Sequence, residues 1–203
     1  MLQRSDEWFK ARLGKVTASK INDAIAKLKS GEPAATRRNY MAQLLCERLT
    51  GKASESYTNS AMQWGVDNED KAREMYQFIS GNDVQEIGFV DHPSIRMSGA
   101  SPDGLIGDDG LIEIKCPNTA THIDYINSGA VPAEYKNQML FQMSCTGRKW
   151  CDFVSFDPRL PGNLQLFIVR YDLDKDQEKI ILDGINNFLS ELDDTEKKLR
   201  AKI

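Results

Sequence analysis

Residues 101–116 contain the pattern that most constrains the fold, because a turn sequence leads into a short run of alternating apolar and polar residues. The run Ile112-Glu113-Ile114-Lys115 has the period of two that is typical of a strand. Glu113 and Lys115 are therefore predicted to project from one face, with the isoleucines on the opposite, buried face. Three glycines lie between Asp103 and this run, and their conformational freedom favours a turn. We predict a β-hairpin that places Asp103 beside Glu113.

The two carboxylates and the ammonium of this hairpin suit a divalent metal ion, a water molecule and a phosphate. The sequence has no GxxxxGK[ST] loop, no HExxH pair and no GxSxG turn, and it contains only two histidines. Carboxylate oxygens favour Mg²⁺, with Mn²⁺ as a substitute, over softer ions. We expect Asp103, Glu113 and the backbone carbonyl of Ile114 to hold the ion, with Lys115 beside the attacking water. The alternative is an ordinary hairpin with a solvated Glu–Lys pair.

The length and composition of the chain indicate a globular protein. With 203 residues the chain can bury a hydrophobic core, and we expect one domain over residues 1–203. No run reaches the roughly 18 apolar residues of a membrane span, and the first residues contain no apolar signal segment. We therefore expect a cytoplasmic protein without a membrane partner. The four cysteines form no CxxC pair, which favours reduced thiols over the alternative of an iron–sulfur cluster.

The charges are distributed unevenly along the chain. The formal net charge is −4, but residues 1–52 contain 11 Lys and Arg against 5 Asp and Glu. A basic N-terminal part is suited to face the phosphates of a nucleic acid, while the acidic remainder limits non-specific binding to DNA. The alternative is a solvated helix face that binds nothing.

Hydrophobic periodicity and turn residues predict the order of the secondary-structure elements. Helices are predicted over residues 5–13, 17–29, 36–50, 60–80, 119–128, 132–146 and 174–199. Strands are predicted over residues 84–91, 95–100, 103–106, 111–116, 150–157 and 164–171. This order favours an α/β fold with a mixed central β-sheet flanked by helices. Its parts are a helical segment over about 1–80, a sheet-containing core over about 83–172 and a C-terminal helix over about 174–199.

Several motifs of this chain are similar to those of a known nuclease family. Ser101-Pro102-Asp103-Gly104, followed by Glu113-Ile114-Lys115-Cys116-Pro117, resembles the core motif of the PD-(D/E)XK nuclease superfamily. The similarity is to the branch of phage lambda exonuclease and the YqaJ-type viral recombinases, and it implies a restriction-endonuclease-like core. Further segments resemble this branch in the same order: residues 8–14, 17–19, 64–72, 135–138, 148–149 and 156–159.

The resemblance implies roles for individual residues. Asp103 and Glu113 match the metal ligands, and Lys115 matches the catalytic lysine. Glu69 matches a helical glutamate that supports catalysis, and Met62 matches an apolar wedge that parts the terminal base pair. Arginine, hydroxyl and amide donors suit the recognition of a phosphate. A pocket for the 5′-phosphate of a DNA end is implied for Arg12, Ser19, Ser101 and Gln138, the last of which also belongs to the catalytic set.

One position departs from the pattern of this family. Where the lambda enzyme has a second metal-binding carboxylate, this chain has His92, next to Asp91. Histidine binds Mn²⁺ and is a poorer ligand for Mg²⁺. We predict His92 as a further metal ligand, with a cap at the end of a strand as the alternative.

The resemblance implies a metal-dependent exonuclease that digests one strand of duplex DNA from a 5′-phosphorylated end. Such an enzyme releases 5′-mononucleotides and leaves a 3′ single-stranded tail for phage recombination. The resemblance also implies a single-strand annealing protein as partner, a ring-shaped homotrimer around DNA, and a gene carried by a phage or its bacterial host. The sequence leaves two alternatives open: an endonuclease of the same fold in restriction or repair, and a non-catalytic DNA-binding module.

Overall fold

The computed structural model describes residues 3–54 and 59–202. Within these ranges, helices precede and follow a central group of strands. The helices are α1 (Asp6–Arg12), α2 (Ile21–Ala24), α3 (Ala35–Thr50), α4 (Ser60–Ser80), α5 (Thr119–Ser128), α6 (Ala133–Thr146) and α7 (Lys175–Arg200). The strands are β1 (Val16–Thr17), β2 (Val84–Gln85), β3 (Val90–Asp91), β4 (Ser98–Ala100), β5 (Gly104–Ile106), β6 (Gly110–Lys115), β7 (Trp150–Phe156) and β8 (Leu166–Asp172).

A five-stranded mixed sheet in the order β2-β5-β6-β7-β8 forms the centre of the fold. Its neighbouring strands run antiparallel except β6 and β7, which run parallel and are connected through α5 and α6. The hairpin of β5 and β6 pairs Gly104 with Ile112, which confirms the predicted hairpin. A second sheet has the order β1-β4-β3. Because β4 leads into β5 through residues 101–103, Asp103 lies at the junction of the two sheets.

The alternating residues of β6 face two different apolar layers. Ile112 and Ile114 pack with Tyr76 of α4 on one face of the sheet. Leu111 belongs to the other layer, which includes residues of α2, α3, α6 and α7. Glu113 has the same parity as Leu111 and is only 1% exposed, so its carboxylate lies on the α6 side of the sheet.

Helix α4 has well-defined ends, and Ala72 and Tyr76 pack it against the sheet. The side chain of Asn59 caps its N-terminus by accepting a 2.8 Å hydrogen bond from the backbone N–H of Met62. Gly81 ends the helix in the left-handed conformation, with φ of 70°. The first turn therefore presents Met62, and Glu69 follows about two turns later on the same helix.

The helices predicted over 36–50, 60–80 and 119–128 are confirmed, as are the two long strands that correspond to β7 and β8. The helix predicted over 17–29 is wrong for most of its length. β1 pairs in parallel with β4, and a 3₁₀ turn and the short α2 follow it. The strand predicted over 84–91 is two short strands that belong to different sheets. Among the helices of the described ranges, none is long and apolar enough to cross a membrane.

Candidate active site

Asp103, Glu113 and Lys115 meet at the end of the β5–β6 hairpin. Asp103 Oδ2 accepts a 2.7 Å hydrogen bond from the backbone N–H of Ile114, which fixes the turn residue against β6. Lys115 Nζ forms an ion pair with Glu113 Oε1. Asp103, Ile114 and Lys115 line a cleft of about 610 Å³, and Glu113 is buried behind Lys115. The structure thus brings together the three side chains that the hairpin pattern predicts.

The buried carboxylate of Glu113 is held by two amides of α6. Gln138 Nε2 lies 2.6 Å from Glu113 Oε1, and Gln142 Nε2 lies 2.7 Å from Glu113 Oε2. Residues four apart on a helix share one face, so both glutamines reach the same carboxylate. Hydrogen bonds to each oxygen offset the free energy that burial of a carboxylate costs. The sequence interpretation missed Gln142, although its spacing from Gln138 was a usable signal.

The charged groups at this end of the hairpin shift one another's pKa values. Burial and the negative charge of Glu113 raise the pKa of Asp103 well above its usual value. Burial alone would lower the pKa of Lys115, but the carboxylates of Glu113 and Asp103 outweigh burial and raise it. Lys115 therefore keeps its positive charge at neutral pH and offers it to an anion in the cleft. Burial, reinforced by the charge of Glu69, raises the pKa of Cys116 to about 12, so this cleft residue remains a neutral thiol.

Helix α4 supplies the wall of the cleft opposite the hairpin. Glu69 lines the cleft with Asp103 and is held between two arginines, at 2.7 Å from Arg4 Nη2 and 3.1 Å from Arg73 Nη2. Met62 lines the same cleft and is 57% exposed. An exposed apolar side chain beside a polar site is available for contact with a ligand, which is compatible with the predicted wedge.

A second group of side chains surrounds Arg12. The guanidinium lies 3.9 Å from the ring centre of Trp8, and Arg12 Nη1 donates to Ser101 Oγ at 3.3 Å. Trp8 Nε1 donates to the same hydroxyl at 2.8 Å. Ser19 and Arg12 line one depression of about 220 Å³. The structure therefore groups Arg12, Ser19 and Ser101, which are three of the four residues predicted for a phosphate pocket.

Two predicted residues have other surroundings. The amide of Gln138, the fourth residue predicted for the phosphate pocket, donates to Glu113 instead of extending the group around Arg12. His92 is buried against the ring of Phe141, and both of its ring nitrogens have protein partners. Its Nε2 lies 3.1 Å from Ser144 Oγ, and its Nδ1 accepts from the backbone N–H of Ile95 at 3.0 Å. This geometry does not support His92 as a metal ligand and instead fits the cap that was its alternative.

The donor set at the hairpin is suited to a hard divalent cation. Over residues 3–54 and 59–202, no group of three or more His, Cys, Asp or Glu side chains is arranged to hold a metal ion. Two carboxylates, Asp103 and Glu113, together with the backbone carbonyl of Ile114, are nevertheless an all-oxygen set. Mg²⁺ is usually bound by one or two carboxylates, with water and substrate phosphate as its other ligands. The residues present therefore fit such an ion. The four cysteines are free thiols, of which Cys145 and Cys151 are buried.

Comparison with known proteins matches residues 7–149 to the YqaJ-like viral recombinase domain. An alkaline exonuclease (LHK-Exo) from Laribacter hongkongensis is 50% identical, with a TM-score of 0.91, and the match covers 98% of this chain and 97% of that chain. The structure of LHK-Exo in complex with dAMP gives the same values. A phage related exonuclease from Haemophilus somnus 129PT has 17% identity and a TM-score of 0.71 over 93% of this chain and 96% of that chain, and so shares the fold. A comparison with curated proteins gives no match.

Proposed function

Because the chain belongs to the family of YqaJ-like viral recombinase domains, we propose that it is a metal-dependent exonuclease that digests double-stranded DNA from its 5′ ends. The half-identical LHK-Exo is an alkaline exonuclease, which supports the reaction class. One observation carries the proposal. Asp103, which meets Glu113 and Lys115 at the hairpin, lies two residues after Ser101, whose hydroxyl contacts the guanidinium of Arg12. A site for phosphodiester hydrolysis and a pocket for a terminal phosphate therefore adjoin each other.

We propose that Asp103, Glu113 and the backbone carbonyl of Ile114 hold Mg²⁺ or Mn²⁺. When bound, such an ion lowers the pKa of a water molecule and offsets the negative charge of the phosphate. The all-oxygen donor set at the hairpin supports this assignment.

The remaining groups act on the substrate and support the site. In hydrolysis, the water oxygen bonds to phosphorus, the bond from phosphorus to the 3′ oxygen breaks, and the 3′ hydroxyl leaves with a proton. The ammonium of Lys115, which its two acidic neighbours keep charged, stabilises the negative charge that grows on the phosphate oxygens. Glu69, held by Arg4 and Arg73 on the opposite wall of the cleft, supports the site with its negative charge. Gln138 keeps the carboxylate of Glu113 in position.

The 5′ polarity of digestion follows from the group around Arg12. A guanidinium that is stacked on Trp8 and hydrogen-bonded to Ser101 is held ready to receive a phosphate. Ser19 adds a hydroxyl to the same depression. With the terminal phosphate in this pocket, the next phosphodiester along the strand reaches the hairpin. Met62, exposed at the cleft, separates the terminal base pair.

The proposal extends to product, partners and cellular context. LHK-Exo forms a complex with dAMP, and a deoxynucleoside monophosphate is the class of product that stepwise removal of single nucleotides releases. The 3′ tail that is left would be bound by a single-strand annealing protein in phage recombination. From the resemblance to lambda exonuclease, we also propose a ring-shaped homotrimer that acts in the bacterial cytoplasm.

Linear duplexes labelled at one end test this function directly. With Mg²⁺ or Mn²⁺, a label at the 5′ end should appear first as a mononucleotide, and a label at the 3′ end should stay in long fragments. Chelation of the metal, or the substitution Glu113→Ala, should stop the release of either label. Closed circular DNA should remain intact in parallel reactions. Rapid cutting of closed circles would contradict the exonuclease assignment and favour an endonuclease.

A further inference from the structure

Gln142 contacts the active site through the carboxylate of Glu113. It is fully buried in α6, and its Nε2 donates to Glu113 Oε2 at 2.7 Å. The other oxygen of Glu113 receives Lys115 and Gln138. Among residues 3–54 and 59–202, Gln142 alone donates a side-chain hydrogen bond to Oε2.

The orientation of the Gln142 amide is dictated by Glu113 and is unfavourable for Gln142 itself. A carboxylate only accepts hydrogen bonds, so Nε2 must face Glu113, and Oε1 must point away. Within the described residues, no donor reaches this buried Oε1. A buried acceptor without a partner is costly, and most proteins avoid it. The chain therefore tolerates an unfavourable group in order to place a donor on Glu113.

The neighbours of Gln142 on α6 would accommodate an apolar side chain. Met139 and Met143 are both fully buried in the hydrophobic core. An apolar residue at position 142 would remove the unpartnered oxygen, but it would also leave the buried Oε2 of Glu113 without its donor, which is unfavourable. The glutamine is therefore needed only because Glu113 is there, and its cost is the unpartnered Oε1.

We propose that Gln142 is a positioning residue, which holds Glu113 Oε2 so that Oε1 stays directed at Lys115 and the cleft. The inference rests on the proposed function, because it concerns the carboxylate that would bind the metal ion. Groups that orient a metal ligand commonly change metal affinity or activity by about 10- to 100-fold when they are removed. Gln138 and Gln142 thus each donate a hydrogen bond to a different oxygen of the Glu113 carboxylate.

The substitution Gln142→Met tests this role, with Gln77→Met as a matched control. Gln77 is a half-buried glutamine of α4 whose amide oxygen caps the backbone N–H of Val84, away from the cleft. Gln142→Met should lower kcat on duplex DNA by about 10- to 100-fold while KM stays unchanged. The Mg²⁺ concentration that gives half of the ion-induced rise in Tm should increase by a similar factor. The Tm without metal should fall by only a few degrees, because the loss of the donor to Glu113 Oε2 is partly offset by removal of the unpartnered Oε1. Gln77→Met should change neither kcat nor the Mg²⁺ midpoint.

The results separate this inference from the proposed function. Two results for Gln142→Met would overturn the positioning role. One is wild-type kcat with an unchanged Mg²⁺ midpoint. The other is a loss of activity that is fully explained by the fraction of the variant that is unfolded at the assay temperature. If Gln142→Met does not fold, Gln142→Asn, which keeps the amide but is too short to reach Glu113, should show the same loss of kcat, and wild-type activity in it would overturn the role. A wild-type protein that cleaves no DNA and gains no Tm from Mg²⁺ or Mn²⁺ would instead overturn the proposed function.

Discussion

Removal of the Arg12 side chain should abolish the preference for a phosphorylated DNA end. The guanidinium is stacked on Trp8 at 3.9 Å and hydrogen-bonded to Ser101 at 3.3 Å, so little freedom is lost when it binds a phosphate. A hydrogen bond between charged groups contributes about 1.5–3 kcal/mol. This free energy corresponds to a factor of about 10 to 150 in kcat/KM. Arg12→Ala should therefore lower kcat/KM by that factor on phosphorylated ends and much less on hydroxyl ends.

The assay compares two duplexes that differ only in the 5′ phosphate. The ratio of their kcat/KM values is measured for the wild type, Arg12→Ala and Arg12→Lys, and the change in ratio isolates the contact between guanidinium and phosphate. Lysine keeps the charge but not the planar fork, so Arg12→Lys should recover only part of the preference. Lys10→Ala, an exposed cation of the same helix, is the control and should keep the wild-type ratio. An equal ratio in the wild type and Arg12→Ala would refute a phosphate pocket at Arg12.

Glu113→Ala should abolish cleavage but leave duplex binding within a few-fold of wild type in a gel-shift assay, and loss of binding in a folded protein would contradict its assignment to hydrolysis. Met62→Ala should slow digestion of fully paired ends, but not of ends whose terminal bases are unpaired, and an equal effect on both would exclude a wedge. Although burial opposes it, hydrogen bonds from Arg159 and Thr119 lower the pKa of Asp157 to about 2. The resulting stability is present above about pH 4 and is lost as the pH falls through the folded pKa. Asp157→Asn should therefore be less stable by about 2 kcal/mol at pH 7, and this difference should shrink by pH 3 in urea unfolding; a difference independent of pH would contradict this origin.

The parts of the fold that depend on neighbouring residues were predictable from the sequence. Alternation in β6 and the glycines before it identified the hairpin, because the period of a strand is visible in six residues. The same local logic found the end of α4 at Gly81, whose left-handed conformation stops the helix. Asp103 and Glu113 followed, since a hairpin brings residues near each other in sequence into contact.

The errors concern residues whose partners are distant in the sequence. Val16–Thr17 is a strand because β4 lies beside it, and this long-range pairing overrides the helical pattern of the segment that follows. His92 is committed to Ser144 and Phe141 of α6, which no local pattern reveals. Gln142 is the instructive case, because its spacing from Gln138 was visible. Only the packing of α6 against β6 shows that both amides face one carboxylate.

The uneven distribution of charge along the chain places basic side chains around Arg12 and beside the cleft. A net charge of −4 would repel DNA if it were spread evenly, but residues 1–52, which are basic overall, supply most of the walls of the depression around Arg12, where Lys15 and Lys20 lie together with Glu47. Lys115 adds its charge at the adjoining cleft. Fields at distances beyond about 8–10 Å are largely screened at physiological salt, so a DNA end senses this local surface more than the net charge. Under the proposed function, the acidic remainder would disfavour contacts elsewhere and so favour approach of a DNA end to the face where the carboxylates and Lys115 lie.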